Sequence, residues 1–135
     1  MMGLTRKGEY AIRGIIYLAQ QAPGATVLMD DIAAATQAPP KFLAKIFQSF
    51  ARAGIVRSSR GTGGGFTMGQ PAWQITLREV VEAVEGPIMP NRCLIKAGAC
   101  DRDKSCKVHQ VWHKVQQSML DVLEAVTIED LAKNK

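Results

Sequence analysis

The sequence predicts a mainly α fold with a small β-hairpin wing: a winged helix-turn-helix domain followed by a long dimerisation helix. Three observations predict it. Two helical apolar stripes are separated by a three-residue turn, two short extended runs around a glycine cluster follow the second stripe, and a heptad seam occupies the C-terminal third. The expected organisation is a winged helix-turn-helix over 1–86, a cysteine-bearing loop over 87–106, and the long helix with a last short helix over 104–135.

From Leu4 to Gln21 apolar residues fall at Ala11, Ile12, Ile15, Ile16, Leu18 and Ala19, a helical stripe that "APG" closes. "MDDIAAAT" forms a short second helix, with Asp30 and Asp31 in the first turn where the macrodipole favours acids. Thr36, Gln37 and Ala38 end it. In "PPKFLAKIFQSFARAG", Pro40 suits a first helical position and Gly54 the residue just past the end. Phe42, Leu43, Ile46, Phe47 and Phe50 give this third helix its apolar side. "IVRSS" and "FTM" around a glycine turn form the hairpin. "TLREVVEAVEG" is a fourth helix with a capping box, Thr76 and Glu79, stopped by Gly86-Pro87.

Residues 87 to 103 carry Pro, Gly and Cys without a period and read as a loop. Val108, Trp112, Val115, Met119, Val122 and Val126 then step by four and three along a helix from about Lys104 to Val126. Thr127 caps a last short helix. The seam either folds back on its own chain or pairs with a second copy. Three short helices and a wing leave little apolar surface to cover it, so a homodimer through this helix is expected.

With 135 residues, 47% of them apolar, the chain can bury one core but hardly two. No stretch reaches the roughly 20 apolar residues that span a bilayer. The N-terminus lacks the apolar run of a signal peptide. A cytoplasmic protein without a membrane partner is expected, and an odd count of three cysteines agrees, since these cannot all pair within the chain. A net charge of +5 and a pI near 9.3 call for an acidic partner.

The placement of the charge points to double-stranded DNA. On the third helix the polar side carries Lys41, Lys45, Gln48 and Arg52, with Lys45 and Gln48 the candidates for base edges. In the wing, Arg57 and Arg60 flank "GTGGG"; an arginine at such a tip suits a narrow minor groove, and Gly61, Gly63 and Gly64 let backbone amides approach phosphates. A dimer would read two half-sites, so the operator should be near-palindromic. "RGTGGGF" is no nucleotide-binding loop, because it lacks the lysine that ends one and leads into a strand. No nucleophile sits with a base and an orienting group, so no enzyme is expected.

All three cysteines lie in "CLIKAGACDRDKSC": Cys93, Cys100 and Cys106, with His109 three residues beyond the last. Thiolates suit iron-sulfur clusters and zinc. Three Cys and one His would complete a tetrahedral zinc set, but zinc knuckles usually space their cysteines two to four apart, and the wider gaps here favour a larger inorganic core. His113 reads as a solvated surface residue. Glu9 is a second oxygen-bearing candidate, although its spacing to Arg13 also suits a helix ion pair.

At this point the sequence resembles the bacterial winged helix-turn-helix iron-sulfur transcriptional regulators of the IscR/NsrR type. "LTRKGEYAIRGIIYLA" resembles their opening helix, "FLAKIFQSFARAGIVRSSRGTGGGF" the recognition helix and wing, "ITLREVVEAVEG" the next helix and "VTIEDLA" the ending. The resemblance implies a homodimer whose long helices cross, and a two-iron or four-iron cluster on Cys93, Cys100 and Cys106. It implies His109 or the partner chain's Glu9 as fourth ligand, and DNA affinity switched by redox, nitric oxide or iron-sulfur status. The gap between the first two cysteines is one residue longer than is typical of cluster-binding members. Pro39-Pro40 and Ala44 replace polar positions used elsewhere for base reading, which predicts a different target sequence.

Overall fold

A computed structural model of the chain describes residues 5–59, 64–89 and 107–133. Helix α1 spans Arg6–Ala19 and opens on Thr5, whose hydroxyl accepts from the Gly8 amide at 3.2 Å. Leu4, where the sequence pattern starts, lies outside the described residues. The buried stripe is Gly8, Ala11, Gly14, Ile15 and Leu18, so it runs through two glycines that an apolar pattern passes over. Gly14 explains why: a Cβ there would lie 2.7 Å from Phe47 Cε1, closer than carbon atoms approach.

Helices α2 (Met29–Thr36) and α3 (Pro40–Arg52) follow with the expected bounds. Between them Gln37 stands in the left-handed region, φ 58° and ψ 37°, where its amide donates to the Ala33 carbonyl and turns the chain. Leu43, Ile46, Phe47 and Phe50 are buried as the pattern predicts, whereas Phe42 is half-buried. Its ring meets Tyr10 of α1 edge-on, centroids 5.8 Å apart.

Strands β1 (Val56–Ser59) and β2 (Gly65–Met68) pair antiparallel, Val56 opposite Met68 and Ser59 opposite Gly65. The turn residues 60–63 lie outside the described residues. Val27, just before α2, exchanges two hydrogen bonds of 2.9 Å with Phe66 and adds a rung to the hairpin. A short 3-10 turn, Ala72–Gln74, then precedes α4 (Leu77–Glu85). Neither feature was legible in the periodicity, since one depends on a long-range pairing and the other spans only three residues.

The capping box on α4 is present: the Glu79 amide donates to Thr76 Oγ1 at 3.1 Å and the Thr76 amide to Glu79 Oε1 at 3.3 Å. The long helix, α5, spans Lys107–Glu124. Residues 104–106 lie outside the described residues, and Val126 has left the helix because its carbonyl accepts from the Leu77 amide at 2.8 Å. The Ile128 amide returns to the Ile75 carbonyl at 2.8 Å, so Thr76 and Thr127 face each other in an antiparallel bridge. Thr127 and Asp130 then cap α6 (Ile128–Lys133) with bonds of 3.0 and 3.1 Å.

One core holds these pieces. Ile15 from α1, Ile32 from α2, Phe47 and Phe50 from α3, Val80 from α4 and Ile128 from α6 all belong to it. Phe47 packs edge-on against both Phe50 and Phe66, centroids 5.2 Å apart in each case, so the recognition helix and the wing are fixed to each other through aromatic contacts. Helix α5 differs: none of its residues is buried.

Candidate nucleic-acid interface

The outer face of α3 follows from its inner one. Phe47, Phe50, Leu43 and Ile46 hold one side in the core, which turns Lys41, Lys45, Gln48 and Arg52 to the other. All four are exposed and form one row at spacings of four, three and four. Arg52 donates to Ser49 Oγ at 3.1 Å, which steadies its guanidinium at the far end of the row. Arg57 is exposed on β1 opposite Thr67. Gly64 has φ +59°, a conformation that glycine adopts without strain as the chain enters β2. Arg60, Gly61 and Gly63, the other wing candidates, lie outside the described residues.

Electrostatically this face is uncompensated. Among the described residues the salt bridges join Arg78 to Glu82 and Glu124, and Lys133 to Glu129, all on α4, α5 and α6. None reaches Lys41, Lys45, Arg52 or Arg57. Lys41, Lys45 and Arg52, cations without carboxylate partners along one helix face, form the footprint of a polyanion-binding surface.

The ion pair expected between Glu9 and Arg13 is not among them. The Arg13 guanidinium instead lies over the Tyr10 ring, 5.8 Å from its centroid, because position i−3 offers an aromatic face. Glu9 is therefore exposed on the first turn of α1 without that partner. The Tyr10–Arg13 spacing is the signal that the charge pattern alone overlooks.

Cys93, Cys100 and Cys106 lie outside the described residues. The elements that flank them are described. Glu85, at the end of α4, accepts from the Thr5 amide at 3.1 Å and from the Thr5 hydroxyl at 2.8 Å, which holds the start of α1 against the entry to the cysteine segment. On the other side, Gln116 Nε2 of α5 donates to the Ile88 carbonyl at 2.9 Å. His109 sits in the first turn of α5 with its Nδ1 buried and, among the described residues, without a hydrogen-bond partner. A buried imidazole nitrogen left unpaired is costly, so this atom calls for a partner beyond its described neighbours. His113 is exposed, as a solvated residue should be.

Helix α5 presents a second surface. Val108, Val111 and Val122 are 56%, 57% and 65% exposed, and Met119, Val122 and Leu123 line a shallow apolar hollow with Ser118. The ridge includes Val111, which the heptad pattern omits, and loses Val126, which has left the helix. Among the described residues no helix is long and apolar enough to cross a membrane.

Residues 4–134 match the family described as Rrf2, iron-dependent transcriptional regulator. The HTH-type transcriptional regulator IscR of Xenorhabdus nematophila is 31% identical over 134 residues, 99% of this chain and 81% of that protein. Among solved structures, CymR, the global cysteine regulator of B. subtilis, superposes with a TM-score of 0.79 at 27% identity, over 100% of this chain and 99% of the other. IscR of T. potens superposes at 0.75 with 24% identity, over 98% and 87%, a likeness of fold.

Proposed function

The chain belongs to the Rrf2 family of iron-dependent transcriptional regulators, and on that premise we propose a homodimer whose DNA affinity is switched by an iron-sulfur cluster. The coarser part is secure: a winged-helix, DNA-binding transcriptional regulator, related to regulators and not to enzymes. The cytoplasm is the proposed location. The finer reading takes Lys41, Lys45, Gln48 and Arg52 into the major groove and Arg57, Arg60, Gly61, Gly63 and Gly64 onto phosphates or the minor groove. Two copies meeting along α5 would read a near-palindromic operator.

The observation that carries the switch is His109. Its Nδ1, buried and without a hydrogen-bond partner among the described residues, belongs to a side chain three positions beyond Cys106 in the sequence, and an imidazole nitrogen can complete a thiolate donor set. Cys93, Cys100 and Cys106 would hold the cluster, with His109 or the partner chain's Glu9 as fourth ligand. When bound, an iron-sulfur cluster supplies sensitivity to oxidants, nitric oxide and iron supply. The chain's own contribution is mechanical. Arg78 ties α4 to Glu124 of α5 at 3.2 Å and Gln116 ties α5 to Ile88 at 2.9 Å, so the segment between these helices is mounted on a braced pair. A rearrangement there would shift α5, and with it the spacing of the two DNA-reading heads. A structural zinc or thiol-only site on a constitutive regulator is the second reading, favoured by the same donor set of three Cys and one His.

Iron, acid-labile sulfide and zinc content, with a visible absorption spectrum of protein purified without oxygen, tests the reading. Equal iron and sulfide with visible charge-transfer bands are expected. Zinc alone, or no metal, overturns the cluster and leaves the DNA-binding regulator without that switch. Equal DNA affinity of loaded and cluster-free protein would remove the switch even if the cluster is there.

A further inference from the structure

We infer that Arg13, Tyr17 and Gln37 form a DNA-backbone notch beside the recognition helix, holding the phosphate strand that flanks the groove α3 enters. The inference rests on the reading of α3 as the DNA-facing helix. It concerns residues outside the α3 row and the wing.

Geometry places these residues. Arg13 lies over the Tyr10 ring at 5.8 Å, and Tyr10 meets Phe42 in the first turn of α3 at 5.8 Å. Two aromatic contacts in series thus hold the Arg13 guanidinium near the end of α3 that carries Lys41 and Lys45. On its other side Arg13 borders an open groove of about 490 Å³ between α1 and the α2–α3 turn, lined also by Ile16, Tyr17, Thr36 and Gln37. Arg13 and Gln37 are exposed, and Arg13 has no salt bridge among the described residues. In helix-turn-helix docking the helix before the recognition helix crosses the sugar-phosphate backbone. The groove runs along the C-terminal end of that helix, α2.

Gln37 supplies an independent observation. It is the only non-glycine residue with positive φ among the described residues, at 58°. Glycine would hold this turn without the steric cost, so a long amide side chain here sacrifices local stability. A strained residue that persists suggests a use for its side chain. An amide donor at the rim of a groove that also carries the Arg13 guanidinium suits a phosphate oxygen and carries no sequence information.

The test uses fluorescence anisotropy of the full chain with two probes: the duplex it selects from a random-sequence pool, and a scrambled duplex of equal length, each over a series of salt concentrations. Arg13→Ala should weaken both complexes by the same factor, roughly threefold to tenfold, and reduce the slope of log K against log salt by about 0.9, the loss of one phosphate contact. Gln37→Gly should raise Tm by about 3 °C while weakening both complexes severalfold. A purely structural turn residue cannot separate stability from affinity in this way. An unchanged salt slope for Arg13→Ala, or a Gln37→Gly protein that is more stable and binds as tightly as before, overturns the notch. Failure of the DNA reading itself would look different, because the unmutated protein would then prefer neither probe and show no steep salt dependence.

Discussion

The two halves of the molecule expose opposite chemistries. From α1 to β2 the surface carries Arg6, Lys7, Arg13, Lys41, Lys45, Arg52 and Arg57, none in a salt bridge among the described residues, over a dense aromatic core. From α4 to α6 lie all the salt bridges among the described residues, and beside Lys107 and Lys114, which take part in none of them, this half exposes a ridge of valines. An uncompensated cation is stable in water and gains further when it replaces the counterions condensed on a polyanion. An exposed valine gains only by meeting another apolar surface. On the proposed reading, one half is prepared for phosphate and the other for a second copy of the chain.

The largest effect should come from the ridge. Val122→Arg puts a charge into the apolar hollow of the proposed contact, and the variant should sediment as a monomer at micromolar concentration while retaining its helical circular dichroism. Since binding to paired half-sites then loses its linkage, operator affinity should fall by about a hundredfold or more. An unmutated chain that is already monomeric would break the contrast between the halves. Next in size is Lys45→Ala, which should lose about 1–3 kcal/mol on the preferred duplex and much less on a scrambled one. Equal losses on both would demote Lys45 from base reading to phosphate contact.

The smallest effect concerns the cap of α6. The Thr127 backbone amide and then its side chain stabilise the Asp130 carboxylate, which holds its pKa below the usual carboxylate value. A depressed folded-state pKa contributes stability above the unfolded value, near 4, that is lost as pH falls through the folded one. The protection factors of amides 128–133, rates corrected for intrinsic exchange, should therefore fall on acidification below about pH 4 in the unmutated chain. In Asp130→Asn they should already be lower at neutral pH and lack that acid step. If the two proteins share one pH profile, the cap does not govern the end of the helix.

What was legible in the sequence divides along the same line. Helices α2 and α3, the hairpin and the Thr76–Glu79 box are local features, set by stripes, Pro40, Gly54 and capping chemistry, and the structure has them in place. Contacts between distant segments were not legible. The Val27–Phe66 rung, the seating of Phe47 against Gly14 and the bridge that pulls Val126 out of α5 depend on partners that no local period encodes. The α3 face was readable because an exposed row is the complement of a buried one. The Glu9–Arg13 spacing suits an ion pair, but Arg13 stacks on the aromatic ring three residues earlier, a partner that charge spacing does not encode.

The bridge between Thr76 and Thr127 makes α4, the cysteine segment and α5 an excursion that departs and returns at a single point. Both strands of that bridge are anchored in the core through Ile75 and Ile128, each 0% exposed. Helix α4 is itself seated in the core through Val80 and Val84, so the part of the excursion free to vary in length is the segment between α4 and α5. Doubling such a loop costs only about 0.6 kcal/mol of closure entropy, and one added residue far less. The segment between α4 and α5 can therefore lengthen, shorten or respace its cysteines while the core beneath remains in register.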